Sequence, residues 1–404
     1  MENRQQWIRE NISEALKNRE FEAWYQPIVR TVSGAVSNYE ALARWRSPQL
    51  GLVHPTEFIP ILEELNMNAQ LDEMMLCNVL TDIQKLMIEG RDVPPISVNL
   101  SQTDFKDESV VDRLIVLVNL SQVPHDKIIF EITESACVDS PAVLKDAIRK
   151  FHNAGFSVWM DDFGSGYSSL NALSQYDFDL IKSDICFLKS FHSGGKSATV
   201  LGHVLSMAQD LHIMTLVEGV ENLEHVNFLK KLSCDRMQGY LFQKPAPIAY
   251  YKHQAKVNPD FPFFSGEKKQ EAQYYDSIRF KEPGPATMPE ELARYMKIPA
   301  QATLELTDTD FRLLFSNEEF LEFMAGHGVR KDCFSNSSFR KLWAAEAGPV
   351  VRSIVETSRR NHSWEMFADE LNGAKVMGWL YAIDEDPSRG AISFKVVFPQ
   401  QFHT

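Results

Sequence analysis

Residues 157–170 read SVWMDDFGSGYSSL. Val158, Trp159 and Met160 favour a buried strand, Gly164 and Gly166 open a loop, and Ser168 to Leu170 begin a helical pattern. Between strand and loop stand two adjacent carboxylates, Asp161 and Asp162. Acids at the C-terminal end of a strand followed by a loop and a helix are how α/β folds build sites, because strand ends converge on one face of the sheet.

Working outward, similar strand-like segments lie on both sides: WYQPIV, NYEALARW, ISVNLS and IIFEITES before it, LIKSD, MTLVEGV and RMQGYLF after it. Most are short and apolar, as strands covered on both faces are. The first two are joined by RTVSGAVS, a polar turn with Gly34, and read as an antiparallel hairpin. Helical patterns alternate with the rest, among them PTEFIPILEEL and SPAVLKDAIRKFHNAG, with Gly90 and Gly155 as helix stops. The alternation suits a (β/α) barrel with one reversed strand, or an open doubly wound sheet; no glycine-rich dinucleotide fingerprint opens the first unit, which favours the barrel.

Beyond LFQKPAP the alternation ends. Residues 252–300 are dense in proline, glycine and charge and read as a linker, with EELARYM as a short helix. From 301 a second, α+β domain is expected. LELTDTDFRLLF reads as strand, turn, strand; SNEEFLEFMAG as a helix with Ser316 and Glu319 as a capping box and Gly326 as its stop; and Asn372-Gly373 as a hairpin turn.

Composition narrows the function. The 404 residues carry a formal charge of −14 and 44% hydrophobic residues, so packed cores are expected and a basic field for gripping a nucleic-acid polymer is not. Five scattered cysteines fit neither a zinc site nor a disulfide framework, which suits a reducing cytoplasm. The N-terminus reads as an amphipathic helix with Trp7, Ile8, Ile12 and Leu16 on one side, and no apolar run reaches the ~18 to 20 residues of a membrane span.

If the strands form a barrel, polar residues at their C-terminal ends gather at one mouth. In order these are Glu40, Asn99, Glu131, Asp161 with Asp162, Lys182 with Asp184, Glu218 and Gln238. Glu40, Leu42 and Arg44 alternate by two and share one strand face, setting an acid and a cation on one wall. Singly, each has a bland reading: a turn for DDFGSG, a solvated Lys182, a helix-capping Asn99, first-turn acids in Glu134 and Glu221. Together they point to one site. So many acids in one cavity need cations, and an all-oxygen donor set selects Mg²⁺, Mn²⁺ or Ca²⁺ over zinc or copper. Two such ions roughly 3.5 to 4 Å apart suit in-line attack on a phosphodiester.

At these residues the chain resembles the EAL-domain family, the bacterial cyclic di-GMP phosphodiesterases, through YQPIV, EALARW, FIP, VNLS, FEITES, DDFGSGYSSL, IKSD, VEGVEN and QGYLFQKP in the family's order over about residues 5 to 250. The resemblance implies a TIM-like (β/α)8 barrel with an antiparallel first strand over 1–251, and Mg²⁺- or Mn²⁺-dependent cleavage of cyclic di-GMP to linear pGpG, with two ions and with Ca²⁺ inhibitory. Glu40, Asn99, Glu131 and Asp161 then look like metal ligands, with Asp162 and Glu218 completing a second site. Lys182 resembles the lysine that hydrogen-bonds the attacking water, Glu218 also the general base, and Gln238 the residue that holds water on the metal.

Gln26, Leu42 and Arg44 would meet the dinucleotide. Glu134 would brace the DDFGSG loop, which in this family also contributes to a homodimer contact, while Asp184 and Glu221 support the shell. Val217 and Ser183 depart from the usual Ala and Ile without removing a ligand atom. Residues 301–325 resemble the opening of a PAS-like sensor domain, expected over 301–404; a small dimerisation module is the other reading. The alternative to an enzyme is a cyclic di-GMP receptor that binds without cutting.

Overall fold

The computed structural model describes residues 2–106, 109–139, 141–164, 169–184, 186–189, 196–257, 272–276, 278, 300–307, 311–327, 347–371, 374–386 and 390–398. The chain divides into two compact units: Met1–Leu201, Ile213–His225 and Asp235–Glu267 form the first, and Gly202–His212, Val226–Cys234 and Lys268–Thr404 the second.

In the first unit the strands are β1 (Phe21–Arg30), β2 (Val36–Ser47), β3 (Gly51–Val53), β4 (Ile96–Leu100), β5 (Ile128–Thr133), β6 (Ser157–Phe163), β7 (Leu180–Ser183), β8 (Met214–Val217), β9 (Arg236–Gln238) and β10 (Ala246–Pro247). Eight of them close a barrel in the order β1, β2, β4, β5, β6, β7, β8, β9 and back to β1. β1 runs antiparallel to both β2 and β9, and every other barrel pairing is parallel. This is the fold expected from the sequence, with two short additions it did not announce: β3 pairs with the outer end of β2, and β10 with β1.

The helices cover the barrel through the periodicity that named them. On Asn68–Ile88, Leu76, Val79, Leu80, Ile83 and Leu86 are buried at helical spacing; on Pro141–Asn153, Leu144, Ala147, Ile148 and Phe151. The N-terminal helix Glu2–Lys17 buries Ile8, Ile12 and Leu16, and Trp7 stacks on Trp45 of β2 at 5.9 Å. Gly90 and Gly155 hold the left-handed conformation that ends their helices (φ +75° and +87°).

Inside the barrel, Ile28, Ile129, Trp159, Leu180 and Leu216 pack into one apolar layer, each at most 4% exposed. Side chains two apart on a strand share a face. That layer therefore fixes what stands above it: Glu131, Asp161, Lys182 and Glu218 each lie two residues after a floor residue. On β1, which runs the other way, Gln26 lies two before Ile28. The hydrophobic floor sets the inward aim of the polar layer.

The second unit holds β11 (Ala300–Leu306), β12 (Phe311–Ser316), β13 (Glu365–Leu371), β14 (Ala374–Asp386) and β15 (Ala391–Phe398) in one antiparallel sheet of order β12-β11-β15-β14-β13. Helices Glu318–Gly326 and Ala347–Asn361 fall between its second and third strands in sequence, and Phe320, Met324, Val351 and Val355 close a core with Leu304, Phe394 and Val396. The expected Ser316 cap is corrected: Ser316 ends β12, and Asn317 caps the helix by accepting from the Phe320 N–H at 3.0 Å. Asn takes the position because its short carbonyl reaches back to the first free backbone donors. EELARYM and Asn372-Gly373 lie outside the described residues, although Leu371 and Ala374 pair across the latter.

Candidate active site

Lys182 of β7 stands at the centre of the polar layer, 1% exposed. Its Nζ lies 2.7 Å from Glu131 Oε2, 2.8 Å from Glu218 Oε1, 3.1 Å from Asp161 Oδ1 and 3.4 Å from Glu40 Oε1. Four acids from β2, β5, β6 and the residue after β8 thus meet one ammonium. Two amides complete the ring: Asn99 donates to Glu40 Oε1 (3.2 Å) and Gln238 to Glu40 Oε2 (2.7 Å). Pairing in the sheet levels the ring, with Asn99 in register with Glu131 and Gln26 with Glu40.

Adjacent strand residues normally face opposite ways, so Asp161 and Asp162 would be split by a regular β6. β6 is not regular. Between the pairs Met160–Ile181 and Phe163–Ser183 it carries two residues opposite the single Lys182, and Asp162 is left-handed at φ +58°. This bulge keeps both acids beside the lysine. Asp162 sits within reach of the charges of Asp161, Lys182, Asp184 and Glu40. Glu134 fastens the bulge at both ends: its N–H donates to Asp161 O (3.0 Å) and its Oε2 accepts from Gly164 N (3.1 Å). Ser165 to Ser168 of the loop lie outside the described residues.

Glu218 is held by backbone contacts. Its N–H donates to Ser183 O at 3.1 Å, and two residues on, Val220 N–H donates to Gln238 O at 3.0 Å. That approach depends on Gly239, where an added Cβ would meet Val220 O at 2.0 Å. Glycine joins β9 to the Glu218 turn.

On the β1–β2 wall Gln26 is buried, donates to Gln243 O (3.2 Å) and receives from Gln238 (3.4 Å). Leu42 is half-buried between Glu40 and Arg44. The Arg44 guanidinium lies 5.5 Å over the Trp24 ring, donates to Ala43 O (2.8 Å) and leaves its buried Nε without a partner. Asp184 accepts from Cys186 N–H at 2.7 Å. Glu221 is exposed, its N–H directed to His225, and no described contact joins it to the ring.

Crowding shifts the acids apart. Burial acts to raise Glu40, but Lys182 and the hydrogen bonds from Gln238 and Asn99 outweigh it and hold its carboxyl below the usual range. Burial, with the charges of Glu40 and Asp161 added against Lys182, drives Glu131 well above it. Burial lifts Glu218 to about 7, and burial with the Asp161 charge lifts Asp162 to about 6. Lys182 is raised by Asp161, Glu131, Glu218 and Glu40 against its own burial. One cation is too little for this many acids.

Oxygens of Glu40, Glu131 and Asp161 lie within 4.8 Å of one another, and Glu131 Oε1 is buried without a hydrogen-bond partner. A hard oxygen set with an unsatisfied carboxylate oxygen fits a divalent cation such as Mg²⁺, Mn²⁺ or Ca²⁺. Sequence reading overlooked the bulge and the Gly239 approach. The period-two pairing of apolar floor with polar ceiling would have shown the inward aim directly.

A family model described as EAL domain matches residues 9–245. Cyclic di-GMP phosphodiesterase RocR of Pseudomonas aeruginosa is 32% identical over 241 residues, 60% of this chain and 61% of that protein. Cyclic di-GMP phosphodiesterase PdeR of Escherichia coli is 31% identical over 246 residues, 61% of this chain and 37% of that protein. The chain thus spans less than two thirds of the length of either curated relative. Among solved structures, the EAL enzyme Bd1971 in its cAMP- and cyclic-di-GMP-bound form aligns at a TM-score of 0.58 and 31% identity over 61% of this chain and 68% of that one. The PaMucR phosphodiesterase in complex with c-di-GMP aligns at 0.57 and 28%, over 60% of this chain and 99% of that one.

Proposed function

This chain belongs to the EAL-domain family, and from that premise we propose that it hydrolyses one phosphodiester bond of cyclic di-GMP to linear pGpG with Mg²⁺ or Mn²⁺ as cofactor. The observation that carries the reading is the gathering of Glu40, Glu131, Asp161 and Glu218 on one buried Lys182, with Asn99 and Gln238 hydrogen-bonded to Glu40.

Glu40, Asn99, Glu131 and Asp161 would hold one ion, and Asp162 with Glu218 a second. Two hard cations would supply charge neutralisation for both the attacking and the leaving oxygen of an in-line displacement. The chain's own groups do the rest. Water oxygen bonds to phosphorus, the P–O3′ bond breaks, the 5′-phosphate stays with the product and the 3′-oxygen ends protonated. Glu218, held beside Lys182 at the end of its turn, takes the water proton as general base. Lys182 donates to the water oxygen. The free Oε1 of Gln238 accepts from the water and orients it. Gln26, Leu42 and Arg44 line the wall that meets the dinucleotide; Glu134 steadies the bulge beside it, Asp184 supports the shell near Asp162, and Glu221 stands outside the described contacts of the ring.

We assign 1–251 to the phosphodiesterase domain, 252–300 to a linker and 301–404 to a PAS-like sensor or dimerisation domain that biases the barrel, in a cytoplasmic homodimer. The five-stranded order with its helices between the second and third strands supports the sensor-like reading. The described residues hold no helix long and apolar enough to cross a membrane.

The test is incubation with cyclic di-GMP and Mg²⁺ or Mn²⁺ followed by product separation. Metal-dependent pGpG is expected. A cyclic dinucleotide that binds and survives would make the protein a receptor; one that does not bind would overturn the reading. Removing residues 260–404 should change rate, metal affinity or oligomeric state, and no change in any of the three would refute the coupling.

A further inference from the structure

Ser101 is the first residue past the ladder of β4, whose last pairing joins Leu100 to Ile132 of β5. Its N–H finds two carboxylates in place of a strand: Asp72 Oδ2 at 3.0 Å, from helix Asn68–Ile88, and Asp104 Oδ2 at 2.9 Å, from the 3-10 turn Gln102–Lys106. Its hydroxyl donates to the same Asp72 oxygen at 2.6 Å. Asp104 N–H donates back to Ser101 O at 3.0 Å. Two carboxylates that accept from one N–H bring their oxygens together, and Asp104 is 1% exposed. Like charges that close repel strongly with Asp104 out of water, which favours one proton held between the two groups.

Neighbouring charges leave that proton in place. On the same helix Glu73 pairs with Arg113 of helix Ser109–Ser121. On the helices flanking the turn, Lys150 pairs with Asp112 and Asp146, and Asp146 with Arg149. No cation is directed at Asp72 or Asp104 by any of these contacts. Burial and the adjacent Asp72 charge accordingly lift Asp104 to about 9.

We propose that Asp72 and Asp104 are a proton-sharing pair that positions the end of β4, and through Ser101 fixes Asn99 two residues earlier in its contact with Glu40. Neither acid touches the ring around Lys182 in the described contacts. The proposal deepens the metal-dependent reading of the site and rests on it for its catalytic consequence, but its first readout is independent of turnover.

That readout is Mn²⁺ affinity of the full chain by calorimetry, alongside hydrogen exchange of residues 99–104 in metal-free protein. An Asn at 104 is a permanent analogue of the protonated acid: its amide N–H donates to Asp72 while its carbonyl accepts from Ser101. Asp104→Asn should keep Mn²⁺ affinity within about threefold of wild type, whereas Asp104→Ala should weaken it about 10- to 100-fold, the range for groups that orient metal ligands. Exchange over 99–104 should rise in Asp104→Ala and not in Asp104→Asn. Should Asp104→Ala fail to fold, Asp72→Ala removes the other half of the pair and the acceptor of the Ser101 hydroxyl, and the same loss is expected there.

Equal Mn²⁺ affinity in wild type and Asp104→Ala overturns the proposal, as does an Asp104→Asn chain as weak as Asp104→Ala. Absence of turnover in wild type with Mn²⁺ affinity intact would strike the hydrolytic reading alone. Where turnover is present, kcat should fall in Asp104→Ala with KM for cyclic di-GMP held, because the pair acts on a metal ligand and not on the wall formed by Gln26 and Arg44.

Discussion

Lys182 Nζ donates to Glu131 Oε2 across 2.7 Å, with both side chains at most 1% exposed. Three further acids share that ammonium, so the lysine is the charge on which the inner layer of the barrel depends. Lys182→Met keeps the length of the stem but leaves the acids without their partner. Stability should drop by about 3 to 5 kcal/mol, the cost of leaving buried charge uncompensated, read as a lower urea midpoint at neutral pH. An unchanged midpoint would mean that the four acids are partnered elsewhere.

Gly239 and Val220 make a second close relationship. A Cβ at 239 would meet the Val220 backbone at 2.0, 2.3 and 2.6 Å, and backbone cannot step aside as a side chain can. Gly239→Ala should therefore separate Gln238 from the Glu218 turn. The expected result is turnover and Mn²⁺ affinity lost together, with destabilisation of about 1 to 3 kcal/mol, the usual cost of forcing atoms into a packed region. Wild-type kinetics in this variant would show that the approach does not set the site.

The barrel was legible because its strands are short apolar runs and its helices carry a 3.6-residue apolar stripe, two periods hard to confuse. Glu40, Glu131 and Lys182 were legible as charges inside segments too apolar to want them. What could not be read is where strand geometry departs from its own period. Strict period-two alternation in SVWMDDF would split Asp161 from Asp162, although both are expected at the mouth; only pairing with β7, two residues against Lys182, shows the bulge that reconciles the two. Glu221 shows the opposite effect of backbone geometry. It stands in a motif of charged neighbours, yet a turn at Gly219 and Val220 carries it to the surface. Ser316 was misread by one residue because Ser and Asn are both good caps, and the register of β12 against β11 chooses between them.

His152 and Asp179 fasten the barrel's other end. Asp179 Oδ2 accepts from His152 Nε2 at 3.1 Å and from Val158 N at 2.7 Å, tying the end of helix Pro141–Asn153 to the start of β6. The Asp179 hydrogen bond raises His152 above its ordinary value of 6.5 despite partial burial. A raised histidine contributes stability that is fully present below 6.5 and lost as pH climbs through its folded value. The urea midpoint of the wild type should fall across that window, and His152→Gln should flatten this part of the profile. Parallel profiles would remove the pair from the stability of the barrel.

In the second unit Phe367 of β13 lies directly opposite Gly378 of β14. A Cβ at 378 would meet the Phe367 ring at 2.9 Å and Val397 O at the same distance. Gly378→Ala should cost about 1 to 3 kcal/mol in the unfolding of this sheet. Phe367→Leu in the same chain should recover part of it, since only the ring half of the clash can be relieved. Calorimetry of the full chain reads both, and an unaltered transition in Gly378→Ala would mean that the ring and the Val397 backbone both yield without cost.

Glu218 separates binding from turnover. It is the residue of the ring that follows its strand, and in the metal-free protein burial lifts its carboxyl to about 7. Glu218→Gln keeps the shape and the contact with Lys182 but cannot take a proton, so turnover with Mn²⁺ should fall about 10²- to 10⁴-fold, the usual contribution of a general base. Cyclic di-GMP affinity should survive, because Gln26, Leu42 and Arg44 on the β1–β2 wall are untouched. Ca²⁺ in place of Mn²⁺ should give the same split in the wild type: its bonds to oxygen, about 2.3 to 2.6 Å, are longer and less directional than those of Mg²⁺, so ligand is held without being cut. Calorimetry with the dinucleotide under Ca²⁺, set against product formation under Mn²⁺, reads both arms. A Glu218→Gln chain that retains more than a tenth of the wild-type rate would reassign the base to another of the acids around Lys182.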